Sequence, residues 1–177
     1  MIDVLHLNEE EAEIISGGFK ADDLKVASST DKLKEVTNRL HLSSSSSSEG
    51  CAIVLLSLGS KGTFISVTPN KTRLANACNQ ISSESSSWEA GSTIHIPAFA
   101  IPEGQINTNG AGDALFSGFC YALATTMETK LTMKQVGEFA SLVAYQRCNI
   151  NTRDKPSHDV DGLLDMVLNG NLPPTIQ

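Results

Sequence analysis

The feature that most constrains the fold of this sequence is an uncharged run, Cys51 to Ser57, that reads C-A-I-V-L-L-S. A strand with one face in water alternates apolar and polar residues, whereas a strand covered on both faces is apolar throughout. The run therefore predicts a parallel strand that is buried on both faces. Other elements must then cover that sheet from both sides.

Strand and helix patterns alternate around this run. Further strands are predicted over Asp3 to Leu7, Thr63 to Val67 and Thr93 to Ala100, and Lys71 to Ala77 is predicted to pair with the second of these as a hairpin. Helices are predicted from Asn8 to Gly17-Gly18, within Ala21 to Leu42, from Gly110 to about Thr126, over Thr132 to Cys148 and over about Val160 to Leu168. This alternation predicts the α/β class, with a largely parallel sheet flanked by helices.

The length of 177 residues suits a single domain, 1–177. Two serine-rich segments, 43–50 and 79–92, interrupt it and are predicted to be surface loops. The net charge of −7 argues against nucleic acid or an anionic membrane as a partner. No apolar run approaches a membrane span, and the first residues lack the pattern of a signal peptide. Widely spaced cysteines predict reduced thiols in a cytoplasmic protein rather than a metal cluster.

The stretch Ile106 to Gly118, I-N-T-N-G-A-G-D-A-L-F-S-G, predicts a helix that begins at a glycine-rich turn. The first amides of a helix have no intrahelical acceptor, and the helix dipole adds partial positive charge there, so an anion can bind. Asp113 would repel a phosphate, but it could take a proton from a hydroxyl that attacks the phosphate. The alternative is an ordinary helix start, with Asp113 favoured by the dipole.

This stretch resembles the G-A-G-D signature of the ribokinase (PfkB) family of sugar and nucleoside kinases. The resemblance implies that Asp113 is the catalytic base and that the amides of Gly110, Ala111 and Gly112 form an anion hole. It also implies the ribokinase-like fold and an ATP-dependent transfer of the γ-phosphate to a hydroxyl of a sugar or nucleoside.

Two earlier segments resemble the same family. Asn8 and Glu11 form an N-x-x-E pattern, which the family places near the nucleotide phosphates and their Mg²⁺, so the resemblance implies an indirect metal role. The same spacing is also that of a helix capping box. Ser57, Gly59 and Gly62 match a segment of the family's ATP site, but glycines at a tight turn would explain them equally well. Neither a Walker A loop nor a dinucleotide fingerprint occurs.

Ala140 to Asn151 loosely resembles a late helix of the family that borders the adenine pocket, which implies Ser141 as a nucleotide contact. A plain amphipathic core helix explains most of the same residues.

The chain departs from the family pattern in two ways. Asn107 stands where the family usually has an aspartate that helps to bind a monovalent cation, so such a cation is in question here. The resemblance also covers only the C-terminal, nucleotide-binding half of the family's fold, so the fold is predicted to be incomplete at its N-terminus. The chain is then expected to form a homo-oligomer or to need the missing N-terminal half.

Two alternatives to an active kinase stay open. The first is a truncated or diverged, non-catalytic fragment of such a kinase. The second is an unrelated α/β binding domain with an anion site at a helix terminus.

Overall fold

The computed structural model describes residues 3–17, 20, 30–42, 50–77, 88–153 and 156–176. The chain divides into two compact units, residues 1–95 and 96–177, called here the sheet unit and the helical unit. The single domain predicted from the chain length stays a prediction.

The sheet unit is built on four strands in the order β1-β2-β3-β4. These strands are β1 (Val4–Leu7), β2 (Ile53–Ser57), β3 (Thr63–Val67) and β4 (Thr93–Ile96). Strand β1 runs parallel to β2, with Val4 opposite Ile53. All of β3 is buried, and so is β2 up to Leu56. The apolar run therefore forms the predicted buried strand with a parallel neighbour, and the predicted α/β class is confirmed.

The sheet is mixed, whereas the sequence predicted a largely parallel one. Strands β2 and β3 are antiparallel, with Ser57 opposite Thr63. Only residues 58–62 connect them, and these include a 3-10 turn over Gly59–Lys61. A parallel neighbour needs a crossover of roughly a dozen residues or more, so this short connection forces a hairpin.

Two helices pack on the sheet. Helix α1 (Glu9–Ser16) has Asn8 as its N-terminal cap and Gly17 as its C-terminal cap. The φ of Gly17 is 54°, a conformation that glycine adopts readily. Helix α2 spans Thr30–Leu42, inside the region where a helix was predicted. The core that they form with the strands contains Leu7, Ala12, Leu33, Val36, Leu40, Cys51, Val54, Leu56, Leu58 and Phe64.

Residues Lys71–Ala77 form helix α3, so the strand predicted there was wrong. The Asn70 side chain accepts a hydrogen bond of 3.0 Å from the amide of Arg73, which satisfies one of the free donors of a helix start. The Arg73 guanidinium is buried and pairs with Asp3 at 2.7 Å. The cap at Asn70 and the ion pair of the buried Arg73 with Asp3 together favour a helix over the weak strand pattern.

Four helices lie in the described residues of the helical unit. They are α4 (Ala111–Thr129), α5 (Met133–Cys148), α6 (Ile150–Arg153) and α7 (Val160–Asn169). A capping box begins α5, with Thr132 and Gln135 bonded reciprocally. A β-carbon at Gly118 of α4 would lie 3.0 Å from the Cβ of Val143 and 3.1 Å from the Cα of Ala140 on α5. The absence of a side chain at Gly118 therefore permits the close contact between α4 and α5.

Some predictions fall outside the described residues. The first serine-rich segment does so over 43–49, and the second over 79–87, although Trp88 near the end of the second is buried. Cys51, Cys120 and Cys148 are free thiols, and Cys78 lies outside the described part. Among the helices of the described residues, none is both long and apolar enough to cross a membrane.

Candidate anion and nucleotide site

The G-A-G-D turn is the start of α4. Gly110 precedes the first helical residue with φ 78° and ψ 13°, in the left-handed region where a β-carbon is strained. The Ala111 amide donates to the Thr108 carbonyl at 3.0 Å, so one of the three predicted anion-hole amides is already bonded. Within the described ranges, no hydrogen bond engages the amides of Gly110, Gly112 or Asp113. These three N–H groups can donate hydrogen bonds to an anion.

Asp113 lies in the first turn of α4 with its side chain exposed. In the part of the chain that the structure describes, no cation or hydrogen-bond donor holds its carboxylate. A carboxylate in this state can accept a proton from a neighbouring hydroxyl, which is the role that the sequence predicts for it.

The loop that enters the turn is held by the end of α5. The Asn107 amide donates to the Cys148 carbonyl at 2.8 Å, and the Ile150 amide donates to the Gln105 carbonyl at 2.9 Å. The Asn107 side-chain oxygen accepts from the Asn109 amide at 3.0 Å. Position 107 thus supplies a neutral oxygen that already braces the turn, and it does not fit the family's carboxylate role in holding a monovalent cation.

Arg147 is a site residue that the sequence analysis missed. A β-carbon at Gly110 would lie 3.1 Å from its Nε and 3.3 Å from its Nη2, so the guanidinium lies against the turn. Arg147 is in the last turn of α5. Two predicted helices joined by a short loop pack antiparallel, which brings the end of one beside the start of the other. That pattern could have indicated that Arg147 lies near the turn.

Ser141, the predicted adenine-side contact, lies on α5 and is 7% exposed. Its hydroxyl has no hydrogen-bond partner among the described residues. An unsatisfied buried hydroxyl is uncommon and needs an explanation, but its nucleotide role stays a prediction.

The predicted metal residues of the sheet unit form a capping box. The Asn8 amide donates to Glu11 Oε2 at 2.9 Å, and the Glu11 amide donates to Asn8 Oδ1 at 2.8 Å. The capping alternative is therefore confirmed for both residues, while a metal role is an untested addition to it. No group of three or more His, Cys, Asp or Glu side chains among the described residues could enclose a metal ion. The exposed carboxylate of Glu11 fits a Mg²⁺ ion that is held through water, since this ion usually keeps several of its waters.

The segment after β2 forms the tight turn that was the alternative interpretation of its glycines. Gly59 and Gly62 have φ of 54° and 98°, and the Leu58 amide donates to the Gly62 carbonyl at 2.8 Å. The Ser57 hydroxyl donates to the Leu7 carbonyl at 3.3 Å. A nucleotide role for these three residues, Ser57, Gly59 and Gly62, stays a prediction.

A mixed sheet flanked by helices, followed by a helix that begins at a G-A-G-D turn, defines the α/β class of ribokinase-like proteins. Residues 1–152 match the sequence model described as "pfkB family carbohydrate kinase". The chain belongs to the pfkB family of carbohydrate kinases. A search of curated protein sequences gave no significant match.

Solved structures show the same fold at low sequence identity. A Clostridium perfringens protein described as a sugar kinase is 20% identical, with a TM-score of 0.54 over 94% of this chain and 40% of its own. Ribokinase of Arabidopsis thaliana, complexed with ribose and ATP, is 20% identical, with a TM-score of 0.54 over 94% of this chain and 41% of its own. The chain thus spans about two fifths of the length of these structural relatives.

Proposed function

We propose that this chain carries the phosphoryl-transfer site of an ATP-dependent kinase whose acceptor is a hydroxyl of a sugar or nucleoside. One observation carries the proposal. In a pfkB-family chain, helix α4 begins at a left-handed Gly110, and its unpartnered amides lie beside an exposed Asp113. Phosphoryl transfer requires N–H groups that donate to the phosphoryl oxygens and a base for the attacking hydroxyl, and this helix start supplies both.

In this mechanism the Asp113 carboxylate accepts the proton of the attacking hydroxyl. The amides of Gly110, Gly112 and Asp113 donate to oxygens of the transferring phosphoryl group and stabilise its charge. Ala111 can join them only if its amide leaves the Thr108 carbonyl. The Arabidopsis ribokinase structure contains both ATP and ribose, which supports this choice of substrates.

Magnesium, when bound, would offset the charge of the phosphates, and Glu11 with Asn8 would hold it through water. Ser57, Gly59, Gly62 and Ser141 are proposed as nucleotide contacts on the strength of the family resemblance. A monovalent cation is not part of the proposal, because Asn107 does not supply a carboxylate.

A second candidate function is a nucleotide-binding or non-catalytic domain. It is favoured by the share of the structural relatives that this chain spans, about two fifths of their length. The residues that would select the phosphoryl acceptor are not recognised in this sequence.

Nucleotide binding by the chain tests the proposal directly. Titration calorimetry with Mg-ADP should give a dissociation constant of roughly millimolar to micromolar, because a partial enclosure binds weakly. Circular dichroism on the same sample establishes that it is folded. A folded sample that gives no heat at millimolar nucleotide would show that the proposal is wrong.

A further inference from the structure

The guanidinium of Arg147 lies beside Gly110 at the start of α4. It is close enough to Gly110 that a β-carbon there would lie 3.1 Å from Nε. The residue is half-buried, and no carboxylate or hydrogen-bond acceptor among the described residues engages it. A guanidinium carries five N–H donors, and the nitrogens of Arg147 are not among the side-chain atoms that the described structure buries without a partner, so they are open to a ligand from solvent.

Backbone packing, rather than a chance side-chain conformation, brings Arg147 to this place. The contact of Gly118 with Ala140 and Val143 and the contact of Gly110 with Arg147 run in opposite directions along the two helices. Helices α4 and α5 are therefore antiparallel, and the last turn of α5 lies beside the first turn of α4. Because Gly118 has no side chain, the two backbones approach closely enough for Arg147 to reach the turn.

The charges at this place call for an anion. The start of α4 carries partial positive charge and free amides, and the guanidinium adds a full positive charge beside them. Those positive charges repel one another until an anion lies between them. The C-terminal dipole of α5 offers Arg147 a weaker partner than a bound anion would. That structural role is the alternative to test.

We propose that Arg147 binds phosphate oxygens of the nucleotide together with the amides at the start of α4. This inference rests on the function proposed above and adds a phosphate-binding residue to that site. A guanidinium matches two phosphate oxygens at once, so Arg147 should favour ligands with a phosphate chain over the bare nucleoside.

The experiment compares Arg147→Gln with wild type, using Mg-ADP, pyrophosphate and adenosine as probes. Lys134→Gln is the matched control, because it removes one positive charge from the first turn of the same helix. Arg147→Gln should weaken Mg-ADP and pyrophosphate binding about tenfold, the loss expected for a charge-assisted hydrogen bond. Adenosine affinity and the melting temperature should match those of the control.

Each other outcome decides between the two proposals. Equal Mg-ADP affinity in wild type and Arg147→Gln overturns the role of Arg147 and leaves the proposed function intact. Equal losses for adenosine and Mg-ADP, with a lowered melting temperature, show a structural role only and also overturn it. Pyrophosphate binding that depends on Arg147, with no preference for Mg-ADP, supports the anion site and contradicts the kinase proposal. If Arg147→Gln does not fold, Arg147→Lys replaces it: a Mg-ADP loss of about threefold, larger than that for adenosine, supports the role, and equal affinity overturns it.

Discussion

At the scale of single residues, Gly110 has two reasons to be glycine. Its φ of 78° strains any side chain, and a β-carbon there would also lie 3.1 Å from the Arg147 guanidinium. Several glycines of this chain have a positive φ, but Gly110 also lies against the cationic side chain of Arg147. A substitution at Gly110 should therefore affect both stability and phosphate binding.

Gly110→Ala should destabilise the protein by about 1–2 kcal/mol, the cost of a left-handed alanine, and should weaken Mg-ADP binding. Gly170→Ala is the matched control, since Gly170 has φ 71° and no atom within 4 Å of an added β-carbon. Thermal unfolding and calorimetry measure the two effects. If both variants bind Mg-ADP equally well, the turn does not contact the phosphates.

At the scale of elements, a buried histidine ties α2 to two strands. The His41 ring lies with Nδ1 2.8 Å from the Cys51 carbonyl and Nε2 3.0 Å from the Ser66 hydroxyl. A carbonyl can only accept, so Nδ1 carries a proton, whereas the Ser66 hydroxyl can either donate to Nε2 or accept from it. Burial lowers the pKa of His41 below its ordinary value of 6.5, which favours the neutral ring, and in that form Nε2 accepts from Ser66.

Because the lowered pKa means that the unfolded chain takes up a proton more readily than the folded one, acid should destabilise the protein. The contribution of His41 is present above about pH 6.5 and is lost as the pH falls toward the lowered pKa. Urea unfolding between pH 7.5 and about pH 5 measures this slope. His41→Gln should lower stability at pH 7.5 and flatten the slope, and His158→Gln, at an exposed position, is the control for the loss of a histidine. An unchanged slope in His41→Gln would contradict the assignment.

The elements that the sequence predicted best are those with strong local signals. Asn8 with Glu11 and Thr132 with Gln135 form the capping boxes that their spacing indicates, and the run before Ser57 is the buried strand that its composition indicates. The sequence failed at Lys71–Ala77, where an ion pair between Arg73 and the distant Asp3 accompanies a helix. It also missed Arg147, whose position depends on how α4 and α5 pack. Contacts between residues far apart in sequence are not visible in local patterns.

At the scale of the whole molecule, the terminal strand of the described sheet and an exposed apolar side chain predict self-association. Strand β1 is the terminal strand of the described sheet, and Ile14 of α1, which follows it, is 80% exposed. Ile14→Lys should shift the sedimentation coefficient toward that of a monomer. Leu168→Lys, at a side chain 48% exposed on α7, is the matched control. A wild-type protein that is a monodisperse monomer at high concentration would contradict the prediction.

Phosphoryl transfer at the start of α4, with Asp113 as the base, is the activity that we propose for this chain. The most direct measurement is ADP production from Mg-ATP in the presence of pentoses and nucleosides, by wild type and by Asp113→Asn. The substitution should lower the rate roughly 10²–10⁴-fold and leave nucleotide affinity and melting temperature nearly unchanged. Asp161→Asn, in the first turn of α7, controls for loss of a carboxylate from a helix start. A wild-type protein without ATP-dependent transfer to any acceptor, or an Asp113→Asn variant as fast as wild type, would contradict the account.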